Sequence, residues 1–166
     1  MTEDIKEILF SEEKIIEKVK EMGEIISRDY KGKDLIVVGV LKGSVLFAAD
    51  LIKNITVPCE IDFMAVSSYG NSTESSGVVR ILKDLDHSIE GKDILIVEDI
   101  VDSGITLSYL SKYLKARKAN SIEIVTLLNK PARRTTDIHV KYIGFEVPDE
   151  FIVGYGIDYA EKYRNL

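Results

Sequence analysis

Three stretches of this chain, DLIVVGVL (34–41), DILIVEDI (93–100) and IEIVTLLN (122–129), carry apolar residues on both alternations of a strand rather than on one. A strand that hides both faces needs cover above and below, and it sits in a parallel sheet flanked by helices. Between the strands lie helical patterns. Ser11-Glu12-Glu13 offers a hydroxyl cap followed by two acids in a first turn. Ile15, Ile16, Val19, Met22, Ile25, Ile26 and Tyr30 then recur at helical spacing, and Lys31-Gly32-Lys33 closes the segment. Residues 45–55 and 106–117 read as further helices, the second with Leu107, Leu110 and Leu114 on one side. IDFMAVSSY (61–69), VVRILKDL (78–85), HVKYIGFEV (139–147) and FIVGYGID (151–158) read as additional strands. The loop GNSTESSG between the first two has no apolar anchor and is expected to be mobile. The alternation predicts an α/β domain, a doubly wound parallel sheet core with flanking helices, with ligands in the crevice beyond the strands' carboxyl ends. Lys42, the segment from Glu98 to Thr106, and Lys130 all fall just after such strands, so they should converge.

The remaining bulk features narrow the function classes. At 166 residues the chain is one domain with a single substantial core. A net charge of −6 argues against general binding of nucleic acid or anionic membranes. No apolar run approaches the roughly 20 residues a bilayer span needs. The start, MTEDIKEILF, has no signal-peptide pattern, and the expected compartment is the cytoplasm. The lone Cys59 excludes an intrachain disulfide and reads as a packed residue. His87 and His139, far apart in sequence, read as surface or strand-edge residues rather than zinc ligands.

The chemistry concentrates in ILIVEDIVDSGITL (94–107). Asp102-Ser103-Gly104-Ile105-Thr106 lies between a buried strand and a helix start, where backbone N–H groups lack acceptors. Gly104 permits a tight curl, and Ser103 and Thr106 add hydroxyls, so the segment can cradle a phosphate monoester. Alone, it would also serve as an ordinary strand–turn–helix with Asp102 or Ser103 as cap. Glu98 and Asp99 change that balance. Adjacent carboxylates at a buried strand end repel and are costly to desolvate unless something satisfies them. The vicinal hydroxyls of a ribose and a hydrated Mg2+ ion would do so. A phosphate cradle beside a diol-binding acid pair describes a ribose 5-phosphate site.

These segments resemble the signature of the type I phosphoribosyltransferases, which bind 5-phosphoribosyl-1-pyrophosphate. LKGS (41–44), SSYG (67–70), LLNKPARR (127–134) and the ending FIVGYGIDYAEKYRNL are similar to the bacterial hypoxanthine-guanine branch, across essentially the whole length. The resemblance implies a core of about residues 11–145 and a small hood over the base formed by residues 1–10 and 146–166. It implies that Leu41, Lys42 and Gly43 form the pyrophosphate loop, with a Leu–Lys peptide that is often cis. Ser68 and Tyr69 match the mobile loop that closes over the reaction centre. Glu98 and Asp99 match the pair holding the ribose hydroxyls and associated magnesium, and Asp102 the catalytic acid near N7 of the purine. Ser103, Gly104, Ile105 and Thr106 match the 5′-phosphate loop. Lys130 matches the reader of the 6-oxo group, Phe151 the ring stacked on the base, and Ile152 the residue contacting its exocyclic edge. Asp158 matches a magnesium-associated acid in the purine site, and Arg164 an arginine near pyrophosphate. Either Arg133 or Arg134 fits the second pyrophosphate-side arginine, and the spacing from Lys130 favours Arg134. Tyr155 and Tyr159 match no role and read as packing. Relatives commonly run on through another strand-like stretch after the point where this sequence stops, at Leu166.

The implied reaction is displacement of pyrophosphate from C1 of the donor by a 6-oxopurine nitrogen, giving IMP or GMP. The implied assembly is a homodimer or homotetramer. Adenine would set its 6-amino donor against the Lys130 donor and is excluded, while the treatment of xanthine turns on residues 151–158. Three alternatives remain: an enzyme of the same fold acting on xanthine or uracil, an RNA-binding regulator, and a catalytically silent interaction protein. The acidic charge opposes the second, and the retained acids oppose the third.

Overall fold

A computed structural model describes residues 2–68 and 79–166 of the chain. At the centre of its sheet, β1 (Leu35–Leu41) is buried up to its last residue. Leu35 and Val37 enter an apolar layer beneath α1 (Glu12–Asp29) and α2 (Val45–Lys53), whereas Ile36, Val38 and Val40 enter the layer beneath α3 (Ile105–Ala116). β4 (Asp93–Val101) and β5 (Ser121–Asn129) divide in the same way, with Leu95, Val97, Val125 and Leu127 on the first side. Ile94, Ile96 and Ile124 take the other. Apolar residues at consecutive positions are thus explained by two cores, one on each face of the sheet.

β2 (Cys59–Ser68), β3 (Val79–Lys83) and β6 (Tyr142–Glu146) complete a six-stranded sheet of order β3-β2-β1-β4-β5-β6. Every pairing is parallel except β2 with β3, which is antiparallel and irregular between Ala65 and Val66. The sheet is therefore mixed, with its parallel core bounded on one side by an antiparallel edge strand. The expected start of α1 holds, since Ser11 Oγ accepts the Lys14 amide at 3.3 Å.

One expected strand is absent. FIVGYGID has no ladder, only an isolated bridge between Gly154 and Ile157. Gly154, Tyr155 and Gly156 all have left-handed backbones, with φ of 100°, 47° and 99°. Two glycines around a tyrosine thus override the apolar alternation and make a turn. Two short 3-10 turns, Thr2–Asp4 and Pro131–Arg133, had no clear sequence signal. The loop expected at 70–77, and Tyr69 with it, lie outside the described residues.

Candidate active site

Beyond the carboxyl ends of β1 and β4 lies a cleft of about 270 Å³. Leu41 and Gly43 line one side, Glu98 and Asp99 the floor, and Asp102, Ser103, Gly104 and Thr106 the far side. Neighbours on a regular strand face opposite ways, yet both acids reach this cleft. The pleat explains it. Ile100 packs with the α1–α2 layer and Val101 with the α3 layer, the reverse of the phase set by Ile94 to Val97. The alternation slips by one residue at Glu98–Asp99, while the pairing with β5 keeps the same register before and after it.

Burial, and secondarily the charge of Asp99, push the Glu98 carboxyl well above its ordinary range. Burial also raises Asp99, against the hydrogen bonds from Glu98 and from backbone amides that lower it. Two acids held against their protons this way call for a cation or a donor diol.

The loop between β4 and α3 is held from behind by the segment after β5. Ser103 O accepts the amides of Thr135 (3.0 Å) and Thr136 (3.2 Å) and the Thr136 hydroxyl (3.0 Å). Arg134 donates from Nε to Asp102 O at 3.1 Å and from its terminal nitrogen to Asn129 Oδ1 at 2.5 Å. Its guanidinium therefore grips the loop carrying Asp102. Arg133 reaches the other way, to Asp149 at 2.7 Å. Gly104 caps α3 with φ 83°, and an added Cβ would sit 2.5 Å from Thr136 Oγ1. Ser103 Oγ accepts the Ile105 amide at 3.3 Å. The following first-turn amides of α3 have no intrahelical acceptor and are available to an anion.

Lys130 is 7% exposed. Its Nζ donates to Glu150 O at 2.8 Å and stands 3.6 Å from Asp102 Oδ1. An ammonium has three donors, so one remains for a ligand acceptor. Next to it Phe151 is 74% exposed, with Tyr159 edge-on at 5.4 Å between ring centroids. Phe151 joins neither core cluster, so its ring is open to solvent on this flank. Tyr159, expected to be packing, is 60% exposed and belongs to this pair, while Ile152 leans on the α1–α2 layer.

On the opposite side of the cleft, the Leu41–Lys42 peptide is cis. An added Cβ at Gly43 would overlap the Asp99 carboxylate, and one at Gly156 would overlap Gly43 O. Strand end, loop and C-terminal turn meet there at backbone distance, which only glycine permits. Arg164 donates to Gly156 O at 2.7 Å and pairs with Asp158 Oδ1 at 3.1 Å. Lys42 pairs with Glu161 at 2.8 Å.

The structure thus gathers Leu41, Gly43, Glu98, Asp99, Asp102, Ser103, Gly104 and Thr106 around one cleft, with Lys130 and Phe151 on one flank and Arg164 on the other. Asp158 is turned to Arg164, and no cluster of three metal-ligating side chains occurs among the described residues. Ser68 ends β2, its side chain outside the description. His87 and His139 are exposed, and Cys59 packs against the core. Glu161, Gly156 and Asn129 carry weight that spacing did not reveal, because turn geometry, rather than periodicity, brings them in.

Residues 6–160 match a family model described as the phosphoribosyl transferase domain. The whole chain is 60% identical to the hypoxanthine-guanine phosphoribosyltransferase of Bacillus subtilis and covers 92% of it. A crystal structure of a hypoxanthine phosphoribosyltransferase from Staphylococcus aureus superposes with TM-score 0.97 at 56% identity, covering 100% of this chain and 90% of that one. A hypoxanthine-guanine phosphoribosyltransferase from Bacillus anthracis, with HEPES in its active site, superposes with TM-score 0.93 at 54% identity, over 98% and 95% of the two chains.

Proposed function

The chain belongs to the phosphoribosyl transferase domain family, and on that premise we propose that it transfers the phosphoribosyl group of 5-phosphoribosyl-1-pyrophosphate to hypoxanthine or guanine. The products are IMP or GMP and pyrophosphate, a reaction of purine salvage. The observation that carries this reading is the single cleft that joins an acid pair, a helix-start anion cradle and the Leu41–Gly43 loop. Lys130 and the exposed Phe151 beside it supply a place for an oxopurine.

In this reading residues 103–106 hold the 5′-phosphate with backbone amides and hydroxyls. Glu98 and Asp99 hold the ribose hydroxyls. Phe151 stacks on the base, Ile152 contacts its exocyclic edge, and the free Lys130 donor meets the 6-oxo group. Asp102 takes or stabilises the purine proton as the nitrogen attacks C1. Lys42 and Arg164 face the departing pyrophosphate and offset its growing charge. Arg134 is the second pyrophosphate-side arginine of this reading, and its hydrogen bond to Asp102 O also holds the loop that carries the acid. Ser68 and Tyr69 belong to the segment that excludes water from an oxocarbenium-like centre. Residues 11–145 form the catalytic core, with 1–10 and 146–166 as the hood.

The acid pair also fits Mg2+: its donors are hard oxygens, and burial leaves them without enough compensating charge. Glu98 and Asp99 would hold the ion; Asp158, the third associated acid of this reading, is paired with Arg164 in this structure and would join them by leaving that pair. Bound there, magnesium would supply positive charge to the diphosphate oxygens. No helix among the described residues is long and apolar enough to cross a membrane. We place the enzyme in the cytoplasm as a homodimer or homotetramer with no nucleic-acid partner.

A spectrophotometric assay with magnesium and the phosphoribosyl donor, offering hypoxanthine, guanine, xanthine and adenine separately, tests the reading. Turnover of the first two without adenine is expected. Turnover of adenine would overturn the role of Lys130, and no turnover with any base would overturn the function.

A further inference from the structure

One carboxylate outside the roles above sits between two cations that those roles assign to pyrophosphate. Glu161 Oε2 accepts Lys42 Nζ at 2.8 Å, and Glu161 Oε1 pairs with an Arg164 terminal nitrogen at 3.3 Å. Lys42 comes from the loop after β1, 119 positions earlier in the chain. The turn that presents Glu161 is built from several contacts. Ala160, Glu161 and Tyr163 all have left-handed backbones, with φ of 50°, 65° and 72°. Asp158 Oδ2 accepts the Glu161 amide at 2.8 Å, and Tyr159 and Lys162 exchange two backbone hydrogen bonds at 3.0 Å. The side chain is nevertheless open to water, 65% exposed against 68% for Lys42. An ion pair this exposed adds little to folding. Its consequence lies in what else could occupy the same two cations. Arg164 Nε is buried and has no hydrogen-bond partner among the described residues.

We propose that Glu161 is an internal stand-in for pyrophosphate, a carboxylate that bridges Lys42 and Arg164 and must yield when donor or product engages them. The proposal rests on the assignment of Lys42 and Arg164 to pyrophosphate. It gives Glu161 a sign opposite to that of an ordinary site residue. Removing its charge tightens pyrophosphate binding instead of weakening it, because the two cations are no longer shared. The native carboxylate therefore keeps product release easy, at the expense of donor affinity.

The test is titration calorimetry of inorganic pyrophosphate, with magnesium, into the full chain and into Glu161→Gln, Lys42→Gln and the double variant. Thermal unfolding establishes that each is folded. The expected result is a Kd lowered by about two- to fivefold in Glu161→Gln, the range an exposed ion pair can supply. Lys42→Gln weakens binding, and in that background the gain from Glu161→Gln shrinks. If Lys42→Gln binds pyrophosphate as tightly as the parent, the subsite assignment fails and the stand-in role fails with it. If Lys42→Gln weakens binding but Glu161→Gln leaves it unchanged or weaker, Glu161 merely anchors Arg164, and the proposal alone is overturned. A gain that persists in full without Lys42 overturns the bridge.

Discussion

The two walls of the cleft are made in different ways. The wall formed by β4, its following loop and α3 stands on strands buried on both faces, and the segment after β5 ties that loop down through Ser103 O. The wall formed by residues 148–166 has no regular element. Its polar attachments are individual clasps, Lys130 to Glu150 O, Tyr155 to Asp50, Lys42 to Glu161 and Tyr163 to Asp4, beside the packing of Ile152, Tyr155 and Ile157 on the core. The first wall faces the ribose phosphate, which stays bound through the reaction in the proposed mechanism. The second faces the base and pyrophosphate, which come and go. Rigidity is placed where the ligand must be held, and separable contacts where it must be released.

The comparison breaks most visibly at the residue on the rigid wall nearest the chemistry. Asp102→Asn keeps the shape and the Arg134 contact to Asp102 O, and removes the carboxylate. It is expected to lower kcat by about 10²-fold or more with donor affinity nearly unchanged. Steady-state kinetics with the donor as varied substrate would read this, and an unchanged kcat would remove Asp102 from proton transfer. Lys130 lies where the walls meet. Lys130→Met removes a buried donor from both Glu150 O and the base, and kcat/KM for hypoxanthine should fall by about 10- to 100-fold. Discrimination against adenine should relax in parallel. A loss confined to stability, with base selectivity intact, would make Lys130 a clasp only.

Acid separates the walls by sign. Glu98 is raised well above its ordinary value of 4.5, chiefly by burial. The folded state thus takes up its proton before the unfolded state does. Stability is then lost as pH rises from the ordinary value towards the raised one. Asp50, on the clasp side, behaves oppositely. Partial burial pushes it up, but hydrogen bonds from Lys53 and Tyr155 outweigh this and hold it below 3.8. Its stabilisation is present above 3.8 and disappears as pH falls through the lowered value. In metal-free buffer, Glu98→Gln should raise Tm relative to the parent at pH 8, with the advantage fading towards pH 4. Asp50→Asn should lower Tm at pH 8, with the deficit fading only below pH 4. Parallel pH profiles for the two variants would erase the distinction.

The same division governs how much of the molecule could be read from its sequence. The doubly apolar runs betrayed the sheet and its two cores, because burial on both faces leaves a mark at every residue. Glu98, Asp99 and the 102–106 loop were legible because acids and glycine at a buried strand end have few structural uses. The slip of pleat that turns both acids into one cleft left no such mark. Nor did the C-terminal wall. FIVGYGID alternates like a strand, and only left-handed backbones at residues 154–156 make it a turn. The roles of Glu161 and Tyr159 depend on a second turn after it, with left-handed backbones at Ala160, Glu161 and Tyr163, so spacing along the chain could not assign them.

The smallest expected effect tests whether a single clasp holds the second wall independently. Tyr155 donates to Asp50 Oδ2 at 2.5 Å from a residue with φ 47°. Tyr155→Phe keeps the ring, which packs against the α1–α2 core layer, and deletes only the hydroxyl. The loss of a hydrogen bond to a carboxylate is worth about 1.5 kcal/mol, or roughly tenfold in a local opening equilibrium. Amide hydrogen exchange in residues 154–157 should therefore accelerate by about that factor, while amides of β1 and β4 stay as protected as before. Because the first wall is untouched, kcat should change little, and any change should appear in KM for the base. Equal acceleration throughout the sheet would mean that the clasp is part of the global fold and that the two walls open together. Acceleration confined to the turn would mean that the base side can loosen while the ribose phosphate side stays closed.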